Sequence, residues 1–126
     1  MKIWLDDQIE TVRPTPEGWV GAKNPEEFRI LINEAHNKNE PIEAIDFDND
    51  LGEDLEEGYD LLIWLKETYP QYVVGETELK VHSANSVRNI AMEEYISWCK
   101  ENAEEILAAK ERENPWGEIE RGPLKK

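Results

Sequence analysis

Cysteine is almost absent, with one in 126 residues. Cys99 has no partner within the chain for a disulfide, which fits a reducing compartment, so the chain is read as cytoplasmic. Long apolar runs are missing too. No stretch approaches the length that spans a bilayer, and the amino terminus MKIWLDDQ is too short and too acidic for a signal peptide. Positive charge is scarce: 14 Lys and Arg stand against 29 Asp and Glu, a net charge of −15. That balance repels phosphate backbones and anionic membranes, so neither generic nucleic-acid binding nor membrane binding is expected. A phosphate-bearing ligand would need a local reversal of sign, from a bound cation or a few placed bases.

What is present describes a folded domain. The length suits one domain with its own core, and a 39% apolar content with five tryptophans supports it. KIWL (residues 2–5) reads as a buried strand that stops at Asp6-Asp7. QIETVRPTPEG is a loop marked by proline and glycine, and WVGAK is a second strand. In NPEEF, Asn24 caps a helix, Pro25 takes its first position and two glutamates meet the positive end of its dipole. Phe28, Leu31, Ile32 and Ala35 give that helix one apolar stripe until HNKNEP ends it.

IEAIDF is the third strand, GEDLEEG a polar turn, and YDLLIWLKETY a second helix with Leu61, Leu62, Leu65 and Tyr69 on one face, stopped by Pro70. QYVVGETE reads as a loop and LKVH as the fourth strand. From Ser86 onward the pattern is one long C-terminal helix, with Val87, Ile90, Ala91, Tyr95 and Trp98 on its apolar side. The domain is placed at residues 1–113, with 114–126 a loosely packed tail. Trp4, Trp64 and Trp98 are expected in the core. His36 is read as solvated, and Asp46 as structural or exposed.

Strands alternating with helices predict the α/β class: a small, four-stranded, mostly parallel sheet with helices on both faces. Ligands of such sheets sit at the carboxyl ends of the strands. Asp6, Asp7, Asp48 and the pair His82-Ser83 all fall there. In AIDFDNDLG (residues 44–52), Asp46, Asp48 and Asp50 recur at period 2, which sends them to one side of an extended chain. Carboxylates gathered in this way repel one another unless a cation compensates, and Mg²⁺ or Mn²⁺ is the expected compensator.

The motifs WLDD after the first strand, DNDLG after the third, GYDLL opening the next helix and VHSAN after the fourth resemble those of the cyclic-phosphate-processing receiver-like domains, short and divergent relatives of response-regulator receivers. The resemblance covers about residues 1 to 97. It implies a receiver or flavodoxin-like fold, with Asp6 and Asp7 as the acidic pair that holds a metal ion. It also implies Asp48 as a phosphate-accepting or metal-binding aspartate and Asn49 or Asp50 as the donor of a backbone carbonyl. Ser83 matches a hydroxyl that contacts the phosphoryl group, and His82 with Asn85 belongs to the family's own signature. Arg13 is a candidate phosphate clamp, since a guanidinium binds phosphate bidentately. Two departures stand out: Asn49 occupies the position of a histidine usual in the family, and Gln8 interrupts the segment after Asp7. The lysine that receivers carry after a fifth strand has no counterpart.

Three functions follow as expectations. The first is metal-dependent processing of a cyclic phosphate, on an RNA end or a cyclic nucleotide, with Asp6, Asp7, Asp48 and Asp50 at the ion. Ser83, Arg13 and Asn85 would contact the phosphate, and His82 would move the proton; Asp48 could instead attack as a nucleophile. The second is a non-enzymatic acidic protein that masks a basic, nucleic-acid-handling partner or sequesters a nucleotide signal. The third is a phosphoacceptor switch, against which the missing lysine counts.

Overall fold

The computed structural model describes residues 1–9, 14–49, 51, 56–82 and 86–113. Arg13, Asp50, Ser83, Asn85, most of the GEDLEEG turn and the tail from 114 lie outside the described residues.

Four strands form one parallel sheet in the order β2-β1-β3-β4: β1 (Lys2–Leu5), β2 (Val20–Ala22), β3 (Ala44–Phe47) and β4 (Glu78–Val81). The four-stranded parallel sheet and the receiver-like α/β class are those expected from the sequence. Helix α1 (Pro25–Asn37) follows β2, and α2 (Gly58–Thr68) follows β3. Asn24 does cap α1, its side chain accepting from the Glu27 N–H at 2.8 Å.

Both crossovers, β2 to β3 and β3 to β4, step the same way across the sheet, so right-handed connections lay α1 and α2 on one face. One core follows from this. Ile3, Leu5, Ile45 and Phe47 of the strands meet Phe28 and Ile32 of α1 and Leu61, Leu62 and Leu65 of α2. The opposite face presents Trp4, Asp46 and Lys80, which share one row of the sheet.

Three expectations require correction. QYVVGETE is not all loop: Gln71–Val74 forms a single helical turn, α3, whose Val73 is fully buried. Pro70, which ends α2, stands as its N-cap.

The C-terminal helical segment is not continuous. It divides into α4 (Ser86–Glu101) and α5 (Ala103–Glu113) at Asn102, whose side-chain amide donates to the Trp98 carbonyl at 2.8 Å. A short polar side chain that bonds backbone in this way competes with the helical ladder.

The buried stripe of α4 is Met92, Ile96 and Cys99, while Val87, Ile90 and Trp98 are 75%, 56% and 52% exposed. The helix carries two apolar stripes, and tertiary contact with α2 and α3 selects the one built on methionine and cysteine. Trp98 is therefore not a core residue. Among the described residues no helix is long and apolar enough to cross a membrane.

Candidate functional site at the carboxyl ends of β1, β3 and β4

The sheet's hydrogen-bond ladder runs one residue beyond the strands. Asp6 N–H donates to the Ala22 carbonyl at 3.0 Å, Asp48 N–H to Leu5 at 3.0 Å and His82 N–H to Phe47 at 2.9 Å. Three chemically active residues thus leave adjacent strands in one row. Chain direction makes this the point where strand order reverses, since β2 lies to one side of β1 and β3 to the other.

Their side chains converge. One ligand atom from each of Asp6, Asp48 and His82 lies within 4.8 Å of the others. Asp6 is fully buried and Asp48 is 2% exposed. His82 folds back along the sheet so that Nδ1 lies 2.7 Å from Asp46 Oδ1 and Nε2 lies 3.1 Å from Asp6 Oδ2. Its ring stacks on Trp4 with centroids 4.0 Å apart and planes 10° from parallel. Asp6 Oδ1 also accepts from the Gln8 N–H at 2.8 Å, which fixes the carboxylate's plane. Two buried carboxylates whose oxygens converge beside an imidazole fit a divalent cation.

Not every expected residue joins them. Asp7 is exposed and stands outside the converging group. Asn49 is fully buried, and its Oδ1 accepts from the Tyr59 N–H at 3.1 Å, so its side chain fastens the start of α2. Arg13, Asp50, Ser83 and Asn85 fall outside the described residues.

Two neighbours were missed by sequence reasoning. Asp46, read as structural or exposed, is buried against His82. The signal was its period-2 spacing from Asp48, which puts both on one face. Trp4, expected in the core, instead floors the imidazole, and no local pattern announces that role.

Burial alone would pull the His82 pKa down. The hydrogen bond and charge of Asp46, then the hydrogen bond to Asp6 and the charge of Asp48, outweigh it and hold the imidazole above its ordinary value. A raised folded-state pKa contributes stability that is complete below the unfolded value and is lost as pH rises through the folded one. The metal-free protein should therefore melt at a lower temperature at about pH 9 than at about pH 6. His82→Gln should shrink that difference, as followed by circular dichroism. An equal difference in both proteins would show that other groups set it.

A parallel sheet in this order, with buried acids after β1 and β3, defines a receiver-like α/β domain. The family model of the cyclic-phosphate processing receiver domain matches residues 1–97. The chain belongs to that family. No curated protein and no solved structure matches it.

Proposed function

We propose that the protein hydrolyses a cyclic phosphate, on an RNA end or a cyclic nucleotide, with the help of a divalent cation. The observation that carries this reading is the convergence of Asp6, Asp48 and His82 at the strand-order reversal of a chain from a cyclic-phosphate processing family. In an acidic protein of net charge −15 a phosphate diester needs local positive charge, and a cation held by Asp6 and Asp48 is a source of it. Such an ion polarises phosphoryl oxygens and lowers the pKa of bound water.

The chain's own residues hold and shield. Asp6 and Asp48 supply anionic oxygens from rigid strand ends, while Trp4 closes one side of the imidazole to water. Ser83, next in sequence to His82, Arg13, in the connection after β1, and Asn85 are the proposed phosphate contacts. Asp7 and Asp50 are the further proposed metal-binding residues, with Asn49 or Asp50 offering a backbone carbonyl.

The test is to incubate purified protein with RNA bearing a 2′,3′-cyclic phosphate and with cyclic nucleotides, in Mg²⁺ or Mn²⁺. Wild type should open the ring to a monoester, and Asp48→Asn and His82→Ala should not. Wild type that turns over none of these substrates with either ion overturns the proposal. Acid-labile phosphoryl label trapped on Asp48 from a small phosphodonor would assign the phosphoacceptor role instead.

A second reading, an acidic module that masks a basic partner, is favoured by the outer face of α4. There Val87, Ile90 and Trp98 are exposed beside Glu93, Glu94 and Glu101. Binding to a basic protein that survives Asp48→Asn and is lost in Ile90→Asp would support that reading.

A further inference from the structure

We infer that His82 is itself a ligand of the ion, through Nε2, that Asp46 is the positioning residue which turns that nitrogen toward Asp6 and Asp48, and that the centre consequently selects a divalent transition ion over Mg²⁺. The inference rests on the reading that Asp6 and Asp48 hold a cation, and it adds to that reading both a ligand and a class of metal.

The two ring nitrogens have different neighbours. Nδ1 faces Asp46 at 2.7 Å, and a carboxylate can only accept, so Nδ1 carries a proton. Nε2 lies 3.1 Å from Asp6 Oδ2, and one nitrogen of the same ring lies within 4.8 Å of a carboxylate oxygen of both Asp6 and Asp48. Ligation of a cation held by Asp6 and Asp48 would require Nε2 to release its proton to solvent, leaving its lone pair free for the ion. The Nδ1–H bond to Asp46 is untouched by that exchange.

A ring flip would put Cδ2 and Cε1 where Nδ1 and Nε2 stand and would lose both carboxylate contacts, so Asp46 and Asp6 hold the ring's direction while stacking on Trp4 holds its plane. A carboxylate on the far nitrogen is the arrangement that orients metal-bound histidines and raises their basicity. Asp46 is 7% exposed and sits one strand period before Asp48, too deep to be a rim residue. A donor set of carboxylate oxygens alone suits Mg²⁺; adding an imidazole nitrogen moves the preference toward first-row transition ions.

The test uses the full chain, stripped with chelator and loaded with Mn²⁺, and reads pulsed electron paramagnetic resonance. Wild type and His36→Gln should show ¹⁴N modulation from a bound imidazole, and His82→Gln should lose it. His36 is a suitable control because it lies on α1 against Tyr69, with ring centroids 4.4 Å apart. Asp46→Asn should keep the modulation and weaken Mn²⁺ binding by roughly 10- to 100-fold, the usual effect of losing an orienting partner. Mg²⁺ should displace Mn²⁺ more readily from His82→Gln than from wild type. Should His82→Gln fail to fold, as checked by circular dichroism, ¹⁵N-histidine labelling of wild type should shift the modulation without any substitution.

Bound Mn²⁺ without nitrogen modulation would overturn the inference and leave His82 as a counter-charge to Asp6 and Asp46. Absence of Mn²⁺ binding would overturn both the inference and the metal half of the proposed function. A nitrogen-ligated ion in a protein that opens no cyclic phosphate would sustain the inference while removing that function.

Discussion

Asp48→Asn is expected to reduce turnover of a cyclic phosphate by roughly 10²- to 10⁴-fold, the several kcal/mol that a cation at a phosphoryl oxygen contributes. Its melting temperature in the absence of metal should not fall. The two halves of this result have one cause. Asp48 is 2% exposed and shares a small volume with Asp6, while Asp46 lies against the same imidazole. Removing one negative charge from such a group relieves repulsion. An asparagine of the same shape keeps the packing and the backbone bond from residue 48 to the Leu5 carbonyl. Stability given up at a functional site is recovered when the function is removed. Kinetic assay and thermal melting of the same preparation check the pair. A variant that loses both activity and several degrees of stability would mark Asp48 as a structural residue.

Gly58→Ala should be the most damaging single methyl group near the site. A Cβ at Gly58 would collide with the carbonyl oxygen of Asp48 and lie 2.9 Å from its carbonyl carbon and 3.0 Å from Asn49 Cα. All of these are backbone atoms, so nothing flexible can give way. The contact exists because the start of α2 is bolted to the loop after β3: Gly58 N–H donates to the Asn49 carbonyl at 2.8 Å and Tyr59 N–H to its side chain at 3.1 Å. Overpacking of this kind costs about 1–3 kcal/mol, against at most about 1 kcal/mol of improved helix propensity. Displacing Asp48 by about 1 Å should also lower turnover by roughly 10²-fold.

Gly18→Ala is the comparison. Gly18 has a φ of 89° with open space around it and precedes the amino end of β2, away from the site. That substitution should lower stability through backbone strain alone and leave kcat/KM unchanged. Equal turnover in Gly58→Ala and wild type would show that the α2 start does not position Asp48.

These two positions also show what the sequence could and could not reveal. The strands were legible as short apolar runs with abrupt ends, and α1 was legible through Asn24 and Pro25, because those signals are local. The acids after β1 and β3 could be assigned to one edge of the sheet once the parallel order was expected. The orientation of His82 could not, since it depends on Asp46 and Asp6, 36 and 76 residues away in the chain.

The reason for a glycine in GYDLL was equally hidden, because the atoms that exclude a side chain belong to Asp48 and Asn49. In α4 the local signal was ambiguous. Val87, Ile90 and Trp98 form as regular a stripe as Met92, Ile96 and Cys99, and only contact with the neighbouring helices decides between them. Asn102 divides the last helical segment through one side-chain bond that helix periodicity does not register.

The most direct test of the account is the position of the ion itself. Crystals of the full chain grown with Mn²⁺ and measured for anomalous scattering should show a peak bounded by the side chains of Asp6, Asp48 and His82, with Asp46 still bonded to Nδ1. A peak elsewhere on this acidic surface, with the imidazole still bridging Asp6 and Asp46, would contradict it.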